Sequence, residues 1–72
     1  MTIEHTEHEY RGYRIEADAF RQGRALIFRT TMTPLKPGLP NIPGFDGANQ
    51  FAAEREAERR INEALVPAEL LP

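Results

Sequence analysis

With no cysteine among its 72 residues, the chain has no disulfide framework, no thiolate nucleophile and no thiolate metal site. A secreted mini-protein held together by bridges is excluded. Serine is missing too, which removes the commonest nucleophile. Neither sign of charge dominates: nine basic and eleven acidic side chains leave a formal charge of −2, a weak handle for any polyelectrolyte partner. Long apolar runs are also wanting. The one stretch of four, residues 25–28, is far short of the roughly 20 residues needed to cross a bilayer. Met1 to His5 has no basic start and no apolar stretch behind it, so a signal peptide is not expected and the cytoplasm is the expected compartment.

What is present is enough for one thin apolar layer. At 40% hydrophobic and 28% charged the composition is that of a globular domain, so wholesale disorder is not expected. Chains below roughly 70 to 80 residues seldom draw more than about 3 to 5 kcal/mol from a single core. Lacking disulfides, this one is expected to find further support in a subunit interface, and self-association as a homodimer follows.

Residues 1–9 hold glutamates and histidines around a lone Ile3 and repeat at neither a helical nor a strand period, which predicts a flexible N-terminal arm. From Tyr13 the pattern alternates, Tyr13, Ile15, Ala17 and Ala19 against Arg14, Glu16 and Asp18, the signature of a half-buried strand. Gly23 and Arg24 can turn the chain into a second β-rich run, residues 25–33, where Leu26, Phe28, Thr30 and Met32 share a face. A hairpin is the expected result.

Composition then shifts. Four prolines and three glycines crowd into a loop, residues 34–47, with Lys36 and Asp46 its only charges. The prolines Pro34, Pro37, Pro40 and Pro43 recur every third residue, the turn of polyproline II, so Leu39, Ile42 and Phe45 would line a second edge of such a strip. An extended segment with an apolar edge is expected to lie on a surface or to carry a partner contact.

Residues 52–65 form the one expected helix, because Ala53, Ala57, Ile61, Ala64 and Leu65 recur at three- and four-residue spacing. Asn49 is the expected N-cap, with Phe51 tucked near the first turn. On the polar side Glu56 can pair with Arg59 and Arg60, and Arg60 with Glu63. Pro67 ends the helix, and the tail, residues 67–72, offers Leu70 and Leu71 to a neighbour or to the fold itself.

Chemistry-bearing patterns are sparse. His5 and His8, with Glu4, Glu7 and Glu9 around them, are a weak metal-ligand pattern, and a solvated arm is the plainer reading. The glycines ahead of the helix match no phosphate-binding fingerprint, since prolines remove the amides such a loop needs. Arginines 11, 14, 21, 24 and 29 cluster with Tyr10, Tyr13 and Phe28, yet Glu9, Glu16 and Asp18 are interspersed, so a mixed solvated surface outweighs nucleic-acid binding. No constellation of nucleophile, base and orienting group emerges, and no catalytic, cofactor or metal residue is assigned.

Tyr10-Arg11-Gly12-Tyr13-Arg14-Ile15, the Gly23-Arg24 turn, and Phe51 with Glu56-Ala57 in the helix resemble a group of small bacterial proteins built as a hairpin plus a C-terminal helix. The likeness spans most of residues 10–65 and implies a fold rather than an activity. A fainter one is to HicB-type antitoxins, in which a strand runs into a Pro-x-x-Pro-Gly turn and then a helix carrying Glu-Ala, here Pro40 to Gly44 and Glu56-Ala57.

The combined expectation is an α+β fold: an antiparallel β-hairpin or three-stranded sheet packed against one C-terminal α-helix, a single β-β-(β)-α domain over residues 10–66. Its expected role is a non-enzymatic protein-interaction or accessory module, with Leu39, Ile42, Phe45, Leu70 and Leu71 as partner contacts. The alternative is an antitoxin-like regulator that masks a partner enzyme or nucleic acid.

Overall fold

A computed structural model describes residues 2–65. Four strands, β1 (Thr2–Tyr10), β2 (Tyr13–Gln22), β3 (Ala25–Pro34) and β4 (Ile42–Gly47), precede one helix, α1 (Gln50–Leu65). The strands form an antiparallel sheet in the order β1-β2-β3-β4, each beside its sequence neighbour. The expected α+β architecture of antiparallel sheet and C-terminal helix is present, with four strands in the sheet.

Both tight hairpins are set by backbone chemistry. Gly23 opens the β2–β3 turn at φ 63° while Arg24 stays at negative φ, the pattern of a II′ turn. The β1–β2 loop is Arg11-Gly12 with φ of 49° and 87°, the two positive values of a I′ turn. Arginine tolerates that region poorly. Its Nη1 donates a 2.7 Å hydrogen bond to Asn62 Oδ1 on α1, tying the turn to the helix.

One face of the sheet is covered. Tyr13, Ile15 and Met32 pack with Ala57 and Ile61 in the main cluster, and Ala19 and Phe28 with Ala53 in a second. The i,i+4 row Ala53, Ala57, Ile61 is the buried stripe of α1, and alanines at two of its positions let the helix approach the strands closely. At Gly47 the approach is close: a Cβ built there would lie 2.9 Å from the Ala53 Cβ. Asn49 caps the helix, its Oδ1 accepting from the Ala52 N–H at 2.8 Å. No helix among the described residues is long and apolar enough to cross a membrane.

Several expectations change. Within the expected arm 1–9, the described residues from Thr2 onward are strand: they pair along β2, Glu4 with Ala19 through Tyr10 with Tyr13. The pairing needs no apolar alternation, because the Arg11-Gly12 turn fixes the register and Thr6, His8 and Tyr10 face the helix side half-buried. The loop 34–47 ends in β4, the further strand that the β-β-(β)-α expectation left open. Between Met32↔Ile42 and Thr30↔Phe45 one residue of β3 faces two of β4, so Pro43-Gly44 forms a bulge. Proline is at home there, on an edge strand and off the regular ladder. The extra residue has a consequence for packing: Ile42 and Phe45, three apart, both turn toward the helix.

Leu39, Ile42 and Phe45, expected as partner contacts, are therefore half-buried against the protein's own core. Tyr13 pins this segment by donating from its hydroxyl to the Pro40 carbonyl at 2.6 Å. Leu70, Leu71, the tail 67–72 and the domain end at 66 lie outside the described residues. Phe51 is not tucked in but 67% exposed, under the Arg55 guanidinium. The expected pairs of Glu56 with Arg59 and Arg60 both form, and Arg60 also lies 4.4 Å over the Phe45 ring; Glu63, expected to meet Arg60, pairs with Arg59.

Candidate interaction surface

Among the described residues nothing covers the face of the sheet opposite the helix, and alternation decides what stands on it. His5 and Glu7 of β1 share that face with Arg14, Glu16 and Asp18 of β2, Arg29 and Thr31 of β3 and Asp46 of β4, in register across the strands. One row reads His5, Asp18, Arg29, Asp46, alternating in sign. His5 Nδ1 lies 2.5 Å from Asp18 Oδ1, and Arg29 Nε donates to Asp46 Oδ1 at 3.3 Å. Arg29 also covers the Phe20 ring at 4.9 Å, shielding the face's large aromatic. The next row is unbalanced: Glu7 stands directly opposite Glu16, a like-charge pair.

His5 answers part of that imbalance. Its Nε2 is 3.4 Å from Glu7 Oε2 and 3.9 Å from Glu16 Oε2. The Asp18 carboxylate first, and Glu7 after it, raise the imidazole pKa above its ordinary value of 6.5. The pairing of His5 with His8 suggested by the sequence does not occur, because residues three apart on a strand point to opposite faces. His8 turns to the helix side, where its Nε2 lies 3.7 Å from Glu58 Oε2. His5, Glu7 and Glu16 do bring one ligand atom each within 4.8 Å of one another. Both nitrogens of His5 already face carboxylates, and no second imidazole joins the trio, so no metal is assigned to it.

The sheet's two edges differ. β4 spans six residues and is interrupted by Pro43 and its bulge, which blunts it against pairing. β1 spans nine residues without proline or glycine, its ladder is regular from Glu4 to Tyr10 after an irregularity between Thr2 and Glu4, and β2 is its only neighbour among the described residues. Alternate residues of such a strand present N–H and C=O groups outward with no partner among the described residues. Sequence reasoning missed this edge because it missed the strand. No apolar alternation marks residues 2–9, and the one local cue was Gly12, able to turn the chain just ahead of the alternating run from Tyr13.

The depressions on the surface are shallow. One of about 270 Å³ at the β3–β4 edge is lined by Arg29, Thr30, Thr31, Gly44, Phe45 and Asp46, a set without a base poised on a nucleophile. No family model, curated protein or solved structure matches the chain.

Proposed function

We propose that the chain is a non-enzymatic, cytoplasmic protein-interaction module that works through the free edge of β1 and the uncovered sheet face beside it. The observation that supports this reading is the nine-residue strand with one neighbour among the described residues, at the margin of a sheet whose apolar side is already spent on α1. An added strand would satisfy the outward backbone groups, and the ordered charges of β1 would select which strand fits. The interspersed acidic and basic groups of the open face favour a protein over a polyanion.

The test is photo-cross-linking in cells that carry the gene, with a benzophenone amino acid at Glu9 on β1 or at Glu63 on the outer side of α1. Adducts from the Glu9 position that are missing from the Glu63 position are expected. Equal capture at both positions, or capture from Glu63 alone, would refute the reading. An antitoxin-like regulator masking an enzyme would use the same edge, and the mass of the adduct separates a heterologous partner from a second copy of the chain.

A further inference from the structure

We infer that the occupant of the β1 edge is a second copy of β1, paired antiparallel about a twofold axis through Thr6, so that two four-stranded sheets join into one of eight strands. This rests on the reading of β1 as the working edge and adds the partner and the register. The segment Glu4-His5-Thr6-Glu7-His8 is antisymmetric in charge type about its centre. A twofold at Thr6 therefore sets Glu4 opposite the second copy's His8, and His5 opposite the second copy's Glu7, with both relations repeated by symmetry.

No other register near the middle of the strand does as well. Moving the axis to Glu7 sets that carboxylate against itself, and moving it to His5 sets the imidazole against itself. Directly opposed like charges destabilise a ladder, whereas opposite ones support it. Cross-strand partners point to the same face, so the sheet continues with both helices on one side.

Each face gains something the single chain lacks. On the open face, Glu7 already stands opposite Glu16 without a cation in line; the second copy's His5 adds an imidazole on its outer side, a cation when protonated. On the helix face, His8 has Glu58 of α1 beside it, with Tyr10 as the ionisable group nearest along its own strand, and the second copy's Glu4 completes its surroundings. A strand edge protected purely against association would carry one sign of charge, as a run of glutamates alone would provide. Alternating Glu and His in antisymmetric order is instead self-complementary, as a twofold interface requires.

Disulfide trapping reads the register directly, because the chain has no cysteine of its own. Residues on the axis of an antiparallel pair have Cα atoms about 4.5 to 5.5 Å apart, within disulfide reach. Of the variants Thr6→Cys, His5→Cys, Glu7→Cys and Arg24→Cys, mild oxidation should convert Thr6→Cys to covalent dimer fastest, with the turn variant Arg24→Cys setting the collisional background. Trapping led by His5→Cys or Glu7→Cys, or none above that background, would overturn the inference.

Sedimentation equilibrium of the unaltered chain supplies a second readout and should give twice the 8.2 kDa of one copy. His5→Glu should weaken association about tenfold by opposing two carboxylates, and the exchange His5→Glu with Glu7→His should restore it. A chain that stays monomeric at several hundred micromolar overturns the self-pairing, and heterologous adducts from the Glu9 cross-linker would then leave the interaction reading standing with a different occupant.

Discussion

Replacing Ile61 by alanine removes three carbon groups from the point where helix and sheet meet. Ile61 is fully buried in the cluster of Tyr13, Ile15, Met32 and Ala57. At about 0.8 kcal/mol per buried methylene the transfer loss alone is about 2.4 kcal/mol. The cavity adds to this according to how far its walls can relax. Tyr13 cannot follow, because its hydroxyl is held by the Pro40 carbonyl, and Ile15 is fixed in the central strand β2. Met32 is unbranched and can fill part of the space. The expected loss is therefore about 2.5 to 3.5 kcal/mol, most of the 3 to 5 kcal/mol that a core of this size supplies. At about 4 to 8 °C per kcal/mol, the melting temperature should fall by roughly 10 to 28 °C. Urea melts followed by circular dichroism measure the loss, with the slope unchanged if unfolding stays two-state. Arg59→Ala is the matched control: its ion pairs with Glu56 and Glu63 are exposed and screened by water, so its melt should shift far less than that of Ile61→Ala. A loss below about 1 kcal/mol for Ile61→Ala, or equal losses for the two variants, would refute the assignment of the buried stripe.

Gly44→Ala should destabilise by about 1 to 3 kcal/mol in a thermal melt, because the new Cβ would lie 2.7 Å from the Thr30 carbonyl oxygen, a backbone atom that cannot swing away. Asn49→Ala removes the cap on the Ala52 amide and should cost about 1 kcal/mol, with fraying at the N-terminal turn visible as faster amide exchange. His5, titrated by NMR, should show a pKa above 6.5 that drops in Asp18→Asn. Since the folded value is the raised one, the contribution of His5 to stability is full below pH 6.5 and fades as pH climbs through the folded pKa; a melt insensitive to pH across that window would contradict it. Glu56 shows the opposite sign. Arg59 and then Arg60 pull its carboxyl down to about 2, so its contribution is present above the ordinary 4.5 and is lost on acidification toward pH 2, a limb that Glu56→Gln should remove.

The elements legible in the sequence were those whose pattern is local. Tyr13, Ile15, Ala17 and Ala19 alternate because one face of β2 is buried, and Ala53, Ala57 and Ile61 recur at four residues because one stripe of α1 is. The Gly23 turn and the Asn49 cap were readable for the same reason, each resting on backbone chemistry confined to a few residues. Strand β1 was not legible, since Glu4, His5, Glu7 and His8 carry no apolar alternation and earn their strand conformation only from the ladder that β2 offers. The use of Leu39, Ile42 and Phe45 was also beyond local reading. Their spacing of three fits a polyproline strip, and only the bulge at Pro43-Gly44, opposite β3, turns Ile42 and Phe45 to one face and gives them to the core. For the candidate surface the division is the same: the order of charges in residues 4–8 was written in the sequence, but that they form a free sheet edge was decided by tertiary pairing, because a strand has an edge only once it has a neighbour.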